Sequence, residues 1–257
     1  MDREPQGEVV YFQFSGISSY DWLVHGVFTR HGGVSRPPYD TLNTSFAMGD
    51  APGAVGTNLQ IIQEVLGADR LIYMKQIHGK DIAVMNHDRG NDMGGPPRAD
   101  AMITDQPNLA LMVKQADCQA VILLDPEKRV ISAVHCGWRG NTCDILGSVV
   151  GRMRSDFGCR ESDLKAAIGP SLGPCCAEFK TYREIFPANF GRFMVCENYF
   201  DLWGLSRWQL LEAGLREENI EAAGVCTRCR PDLFYSYRAE GVTGRFGTVV
   251  MLKEDGH

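Results

Sequence analysis

The sequence contains no apolar run approaching the roughly 18 residues of a membrane-spanning helix, so no span is expected. It has no excess of positive charge either: 26 Lys and Arg against 32 Asp and Glu leave a net charge of −6. That balance argues against broad binding to nucleic acid or a membrane surface, while allowing a local basic pocket for an anionic substrate. Internal repeats and low-complexity linkers are missing. Nine cysteines is an odd number, whereas a secreted disulfide framework is normally even. The opening Met-Asp-Arg-Glu-Pro-Gln-Gly-Glu is polar and acidic and does not read as a signal peptide. Free thiols in a reducing cytoplasm are therefore expected. With 44% hydrophobic and 23% charged residues, the chain can bury a sizeable core, and one domain over 1–257 is expected.

What is present concentrates chemistry near the middle. Two apolar runs, 120–124 and 130–134, flank Asp125-Pro126-Glu127-Lys128. Asp suits the first position of a tight turn and Pro the second, so the stretch reads as a β-hairpin. A turn centred between Pro126 and Glu127 sets Asp125 opposite Lys128 and, counting outward, Cys118 opposite His135. Facing residues share one side of a sheet, with Cβ atoms about 4.5–5.5 Å apart. A thiolate and an imidazole so placed can ligate one metal, or act as nucleophile and base. The inference hangs on turn length, because a three- or five-residue loop breaks the facing pair. Both faces of the hairpin are apolar. Ala120, Ile122, Leu124, Ile131 and Ala133 lie on one, and Val121, Leu123, Val130 and Val134 on the other. Such a hairpin needs a layer above and a layer below. Cys118 and His135 then sit at a buried rim, where lacking a partner costs on the order of a few kcal/mol.

Elsewhere, strands are expected at 9–14, 22–28, 71–77, 81–85, 165–168, 220–226, 233–237 and 248–252. Segments 99–104 and 109–113 look like a second hairpin turning at Asp105-Gln106-Pro107-Asn108. Helices are expected at 58–66, at 178–190 with an interruption near Pro187, and at 202–216. A further amphipathic helix carries Ile145, Leu146, Val149, Val150 and Met153 and stops at Gly158, with Asn141 or Thr142 as its N-cap. Segment 88–98 is turn-rich. Strands outnumber helices and short turns join many of them, so mixed α+β fits better than a regular βαβ repeat.

Three places could serve a ligand. The Gly- and Pro-rich loop 29–43 carries Arg30, His31, Arg36 and Asn43, which suit an anionic or polar ligand or else a solvated surface. His78 stands at a strand end beside Gly79. Arg139, in Gly137-Trp138-Arg139-Gly140, leads into a helix whose free N–H groups could hold an anion. Most of the cysteines read as small buried hydrophobes, and the adjacent Cys175-Cys176 as structural. Cys226-Thr227-Arg228-Cys229 has a metal-like or redox-like spacing, but no second such pair lies nearby in sequence, which argues against a zinc ribbon.

Taken together, Thr29-Arg30-His31-Gly32-Gly33, Leu42-Asn43, Gln76-Ile77-His78-Gly79, Ala116-Asp117-Cys118, His135-Cys136-Gly137-Trp138-Arg139-Gly140 and Tyr235-Ser236-Tyr237-Arg238 carry a resemblance. The chain resembles the YfiH/YlmD family, also called laccase-domain or polyphenol oxidase proteins, from about residue 23 to its end. The resemblance implies a mixed four-layer α/β/β/α sandwich, in agreement with the doubly buried hairpin. It implies a zinc site of His78, Cys118 and His135. It implies phosphorolysis of inosine, guanosine, adenosine and methylthioadenosine, and deamination of adenosine. The partners are then small purine nucleosides and phosphate, without nucleic acid or membrane.

The chemistry suits these residues. Two imidazoles and a thiolate leave zinc a fourth position open, as catalytic sites require. Arg30 and Arg139 could position phosphate bidentately, with Asn43 as a further polar contact. Asp117 could orient a ligand or shuttle a proton, or simply hold a strand end. Three other readings compete. Cys118 could attack as the nucleophile of a cysteine hydrolase that edits peptidoglycan precursors, with His135 as base. A copper polyphenol oxidase is disfavoured, because six histidines are few for a multicopper cluster. A non-enzymatic protein could keep the pocket as a docking surface.

Overall fold

The computed structural model describes residues 1–6, 9–86 and 95–254. In chain order its strands are β1 (Asp2–Gln6), β2 (Val9–Gln13), β3 (Leu23–Phe28), β4 (Arg70–Tyr73), β5 (Ile82–Val84), β6 (Ala101–Thr104) and β7 (Leu109–Gln115). There follow β8 (Gln119–Asp125), β9 (Val130–Cys136), β10 (Lys165–Ile168), β11 (Met194–Cys196), β12 (Tyr199–Phe200), β13 (Ile220–Ala222) and β14 (Phe246–Leu252). Among the described residues they form two six-stranded sheets, β1-β2-β3-β14-β7-β4 and β13-β10-β8-β9-β6-β5, and a small β11-β12 ribbon.

Period-two alternation sorts the side chains into layers. Val27, Leu111, Val113 and Val250 of the first sheet meet Ala120, Ile122, Ile131 and Ala133 of the second in a shared core. On the far side of the first sheet, Ile62 and Leu66 of the helix Pro52–Leu66 pack on Phe28, Ala110, Met112 and Val249. On the far side of the second, the helix Ile145–Phe157 lays Ile145, Leu146, Val149, Val150 and Met153 on Val121, Leu123, Val130 and Val134. The result is the four-layer α/β/β/α sandwich, with the central hairpin buried on both faces as its composition requires. Among the described residues no helix is long and apolar enough to cross a membrane.

Several elements differ from expectation. Segments 99–104 and 109–113 do not pair with each other. β6 pairs with β9 in one sheet and β7 with β14 and β4 in the other, so the chain crosses between sheets at Asp105 to Asn108. Segment 233–237 is no strand. Phe234 and Tyr235 plug the core between the sheets, and a short helix Tyr237–Glu240 follows, capped by Ser236. The first helix begins at Pro52 instead of residue 58, with proline in its first turn, where the missing N–H is harmless. The helix Ile145–Phe157 is capped by Asp144, because Trp138–Thr142 forms a helical turn of its own. Asn141 is engaged there with Ser206 and Gln209. Within 178–190 only Tyr182–Ile185 is α-helical. Of the turn-rich segment 88–98, residues 88–94 lie outside the described residues.

Candidate active site and metal centre

The loop of the central hairpin has four residues, Pro126 to Arg129, with Asp125 paired to Val130. The Asp125 carboxylate accepts the N–H groups of Glu127 and Lys128, both at 2.9 Å, and Arg129 takes a positive φ of 51°. This turn corrects the expected register by two positions. Ala120 faces His135, and Cys118 lies one step beyond the last paired residue, Gln119. A shift of two preserves the face, so Cys118 and His135 still project to the same side as diagonal neighbours.

His78 joins them from the turn after β4, with a positive φ of 58°. The ligating atoms of His78, Cys118 and His135 lie within 4.8 Å of one another. The two imidazoles meet edge to face, with centroids 4.8 Å apart.

One carboxylate holds both histidines. Asp100 is fully buried, and its oxygens accept the N–H groups of Ile77 (3.2 Å), His78 (2.9 Å) and Gly79 (2.6 Å). His135 Nδ1 donates to Asp100 Oδ1 at 2.9 Å. A carboxylate only accepts, so Nδ1 carries the proton and Nε2 is left for the site. Burial pushes the Asp100 carboxyl up, but His135 and the Gly79 and His78 N–H groups more than reverse it. Burial also raises the Cys118 thiol, and His135 and His78 overturn this and hold it at about 6. Burial alone would lower His135, but the Cys118 charge and Asp100 raise it to about 9. The pair thus favours thiolate beside imidazolium. Gly137 is required by close approach: a Cβ there would stand 2.8 Å from Cys118 Sγ.

These donors open into a cavity of about 390 Å³. Its wall includes Trp138, Phe179 and Tyr237 and the basic residues Arg139, Arg238 and Arg245. The Arg139 guanidinium lies over the Trp138 ring at 4.1 Å and has no carboxylate or carbonyl partner among the described residues. Its surrounding five-residue helical turn is too short for the anion-binding helix end expected from sequence, so charge and not helix geometry is what Arg139 offers. Arg245 donates to Thr243 O and Gly244 O, and Arg238 to Glu178 O. A wider hollow of about 570 Å³ beside the helix Ile145–Phe157 gathers no comparable set of donors.

The other expected site residues lie elsewhere. Asp117 lines the cavity, but its carboxylate is engaged by Thr227 (2.7 Å), Ser236 (2.6 Å) and the N–H of Arg238 (2.6 Å), the geometry of a residue that holds a wall. Asn43 is fully buried outside the cavity, accepting the N–H groups of Ser45 and Arg245 and donating to Asp50. Arg30 does not reach the cavity either. It donates to Asp40 O, Pro231 O and Glu240 Oε1, and stacks on Tyr235 at 4.6 Å. Glu240 accepts the N–H of Ser236, so Arg30 supports Asp117 at one remove. Arg30→Ala should therefore lower stability by about 1–3 kcal/mol, the scale of a buried charged hydrogen bond. All activities should fall together, as thermal unfolding and parallel rate assays would register. A selective loss of one activity would place Arg30 in ligand contact instead.

Sequence reasoning missed Asp100, Arg238 and Arg245. Asp100 lies only in an Ala-Asp dipeptide before β6, with nothing local to mark it. Arg238 closes the Tyr235-Ser236-Tyr237-Arg238 motif, a signal that was available without an assigned role.

Comparison with known proteins agrees with the fold. The family model described as multi-copper polyphenol oxidoreductase laccase matches residues 24–253. Purine nucleoside phosphorylase YlmD of Geobacillus stearothermophilus is 30% identical over 93% of this chain and 94% of its own length. Purine nucleoside phosphorylase SCO2081 of Streptomyces coelicolor is 34% identical over 88% of this chain and 94% of its own. The crystal structure of the Geobacillus protein superposes with a TM-score of 0.87 and 28% identity, covering 98% of this chain and 99% of that one. The YfiH protein of Bacillus licheniformis gives 0.86 and 26% over 96% and 97%.

Proposed function

Because the chain belongs to the multi-copper polyphenol oxidoreductase laccase family, and relatives aligned over most of it are purine nucleoside phosphorylases, we propose that it is a purine nucleoside phosphorylase. Its substrates in this reading are inosine, guanosine, adenosine and methylthioadenosine, and it also deaminates adenosine. The observation that carries the proposal is the convergence of His78, Cys118 and His135 at a cavity walled by aromatic rings and arginines.

We assign those three donors to zinc. Two imidazoles and a depressed thiol, with His135 Nε2 freed by the Asp100 bond, are the donor set of a catalytic zinc with one open position. When bound, the ion supplies a Lewis acid. The multicopper alternative implied by the family's title finds little support. Of the described histidines, His25 is buried and accepts the Phe14 N–H, and His31 bonds Asp232 O, so neither joins the centre.

The chain's own groups account for phosphorolysis as follows. A phosphate oxygen bonds to ribose C1′ as the bond from C1′ to the purine nitrogen breaks. The bonding pair leaves with the base, and the proton of hydrogen phosphate balances it. Arg139, whose guanidinium has no carboxylate or carbonyl partner among the described residues, holds the phosphate, and Arg238 and Arg245 add positive potential. Trp138, Phe179 and Tyr237 flank the flat purine. Asp117 and Asp100 position the site. The nine cysteines are all free, which supports a reducing cytoplasm.

The test is release of free base and ribose 1-phosphate from each nucleoside, with and without phosphate. Arg139→Ala should weaken phosphate binding about 10- to 100-fold, the scale of a charged hydrogen bond to an anion, and leave deamination nearly unchanged. Equal loss of both activities would move Arg139 to nucleoside binding.

A second reading rests on a specific arrangement. Cys118, His135 and Asp100 line up as thiol, imidazole and buried carboxylate, the order of a cysteine hydrolase. Peptidoglycan editing would follow from that reading, and metal dependence separates the two.

A further inference from the structure

Two distant stretches bring four more sulfurs together. Cys175-Cys176 follow Gly173-Pro174, and Cys226 and Cys229 bracket Thr227-Arg228. The four sulfurs all lie within 4.8 Å of one another. Cys229 Sγ is 3.6 Å from Cys175 Sγ and 3.5 Å from Cys176 Sγ. A disulfide would be about 2.05 Å, so these are separate thiols. Four sulfurs about 2.3 Å from one zinc stand about 3.8 Å apart along the edges of a tetrahedron. The observed spacing is close to that edge. In a multi-iron cluster, thiolates on different irons are spread wider than 4.8 Å allows.

The surroundings are built for charge on sulfur. The N–H of Gly173 donates to Cys226 Sγ at 3.3 Å. The Arg228 guanidinium interacts electrostatically with Cys176. Ser171 and Cys226 form a β-bridge that pins the two stretches together. Cys176 and Cys226 are buried, and Cys175 and Cys229 face solvent.

We propose that Cys175, Cys176, Cys226 and Cys229 bind one zinc ion in a closed structural site, distinct from the centre at Cys118. Four protein ligands leave no open position, so the ion is structural. What it braces is the wall of the cavity. Thr227, between two ligands, holds Asp117, and Arg238 donates to the carbonyl of Cys176 at 3.4 Å. The site stands whatever reaction the cavity carries out.

Metal content of the full chain, purified under reducing conditions without chelator, tests this. Wild type should carry about two zinc ions, one for each ligand set. Cys118→Ala should keep about one, and its cobalt-substituted form should show the intense visible absorption of a tetrahedral thiolate complex. Adding Cys175→Ser and Cys229→Ser should remove the remaining ion. Should that variant fail to fold, the Cys118→Ala protein still decides the matter, because stripping its metal should make four additional thiols reactive. The proposal is overturned if Cys118→Ala retains no zinc or carries iron instead. It is equally overturned if its four thiols react fully before chelation, or if mass spectrometry finds two of them joined as a disulfide.

Discussion

Cys118→Ala is expected to lose the metal of the cavity and to reduce turnover on the order of a thousandfold or more, the scale seen when a member of a catalytic unit is removed. The fold should survive. Cys118 is only half-buried and lies outside the packed core clusters, so the stability change should stay near about 1 kcal/mol. Metal analysis, thermal unfolding and nucleoside turnover on one preparation check all three. Chelation then decides what the sulfur does. A thiolate bound to zinc has its reactive lone pair engaged. Mild chelation of wild type should therefore abolish turnover and expose Cys118 to alkylation, and zinc should restore activity unless alkylation has intervened. In metal-free protein the thiol sits at about 6, below the ordinary cysteine range, because His135 and His78 outweigh burial. Its alkylation rate should climb as pH rises through about 6 and level off above it. Turnover that survives complete zinc removal, with a covalent adduct on Cys118, would establish the hydrolase reading.

Asp100→Ala should be the most damaging single change outside the ligands. It deletes the acceptor of three backbone N–H groups and of His135 Nδ1, all in a fully buried position. Removing one partner of a buried charged network costs about 3–5 kcal/mol. Metal affinity should drop at least about 10- to 100-fold, as for loss of a carboxylate behind a ligating histidine. Asp100→Asn keeps the shape and should be milder in stability while still impairing the metal site. The sign of the pH effect follows from the depressed carboxyl. Its folded-state value lies below its ordinary one, so its contribution is complete above the ordinary aspartate range and is lost as pH falls below it. Wild type should lose stability over that acid range more steeply than Asp100→Asn. Thermal unfolding against pH measures the difference, and equal slopes would mean that Asp100 does not carry the linkage.

The layered fold was legible where the pattern is local and regular. Alternation along β8 and β9 assigned every residue to its correct face, although the turn set the expected partner of His135 two positions off, at Cys118 instead of Ala120. The parity of a strand is robust to an even error, and this saved the inference about Cys118 and His135. Pairing between sheets was not legible. Nothing in 99–113 tells the chain to cross from one sheet to the other, because both strands are buried on both faces and lack a polar side to orient them. The placement of Arg30 and Asn43 was not legible for a related reason. A buried arginine with three acceptors looks, in sequence, like one that waits for an anion. Cys175-Cys176 and Cys226-Cys229 are about fifty residues apart, and only the fold, through the Ser171–Cys226 bridge and the contacts between their sulfurs, shows them as one cluster.

β14 has a consequence for how the protein is made. It lies between β3 and β7, pairing with five residues of each, and it is the last described strand of the chain. While the ribosome is still translating residues 29–245, β3 and its neighbours have no way to join β7 and β4. The nascent chain carries two open strand edges until residue 252 leaves the exit tunnel. Open edges recruit other strands, so this interval is when a chaperone has most to protect. A stop codon after β7 and before Arg245 would leave β3 and β7 unjoined and remove Arg245 from the cavity wall.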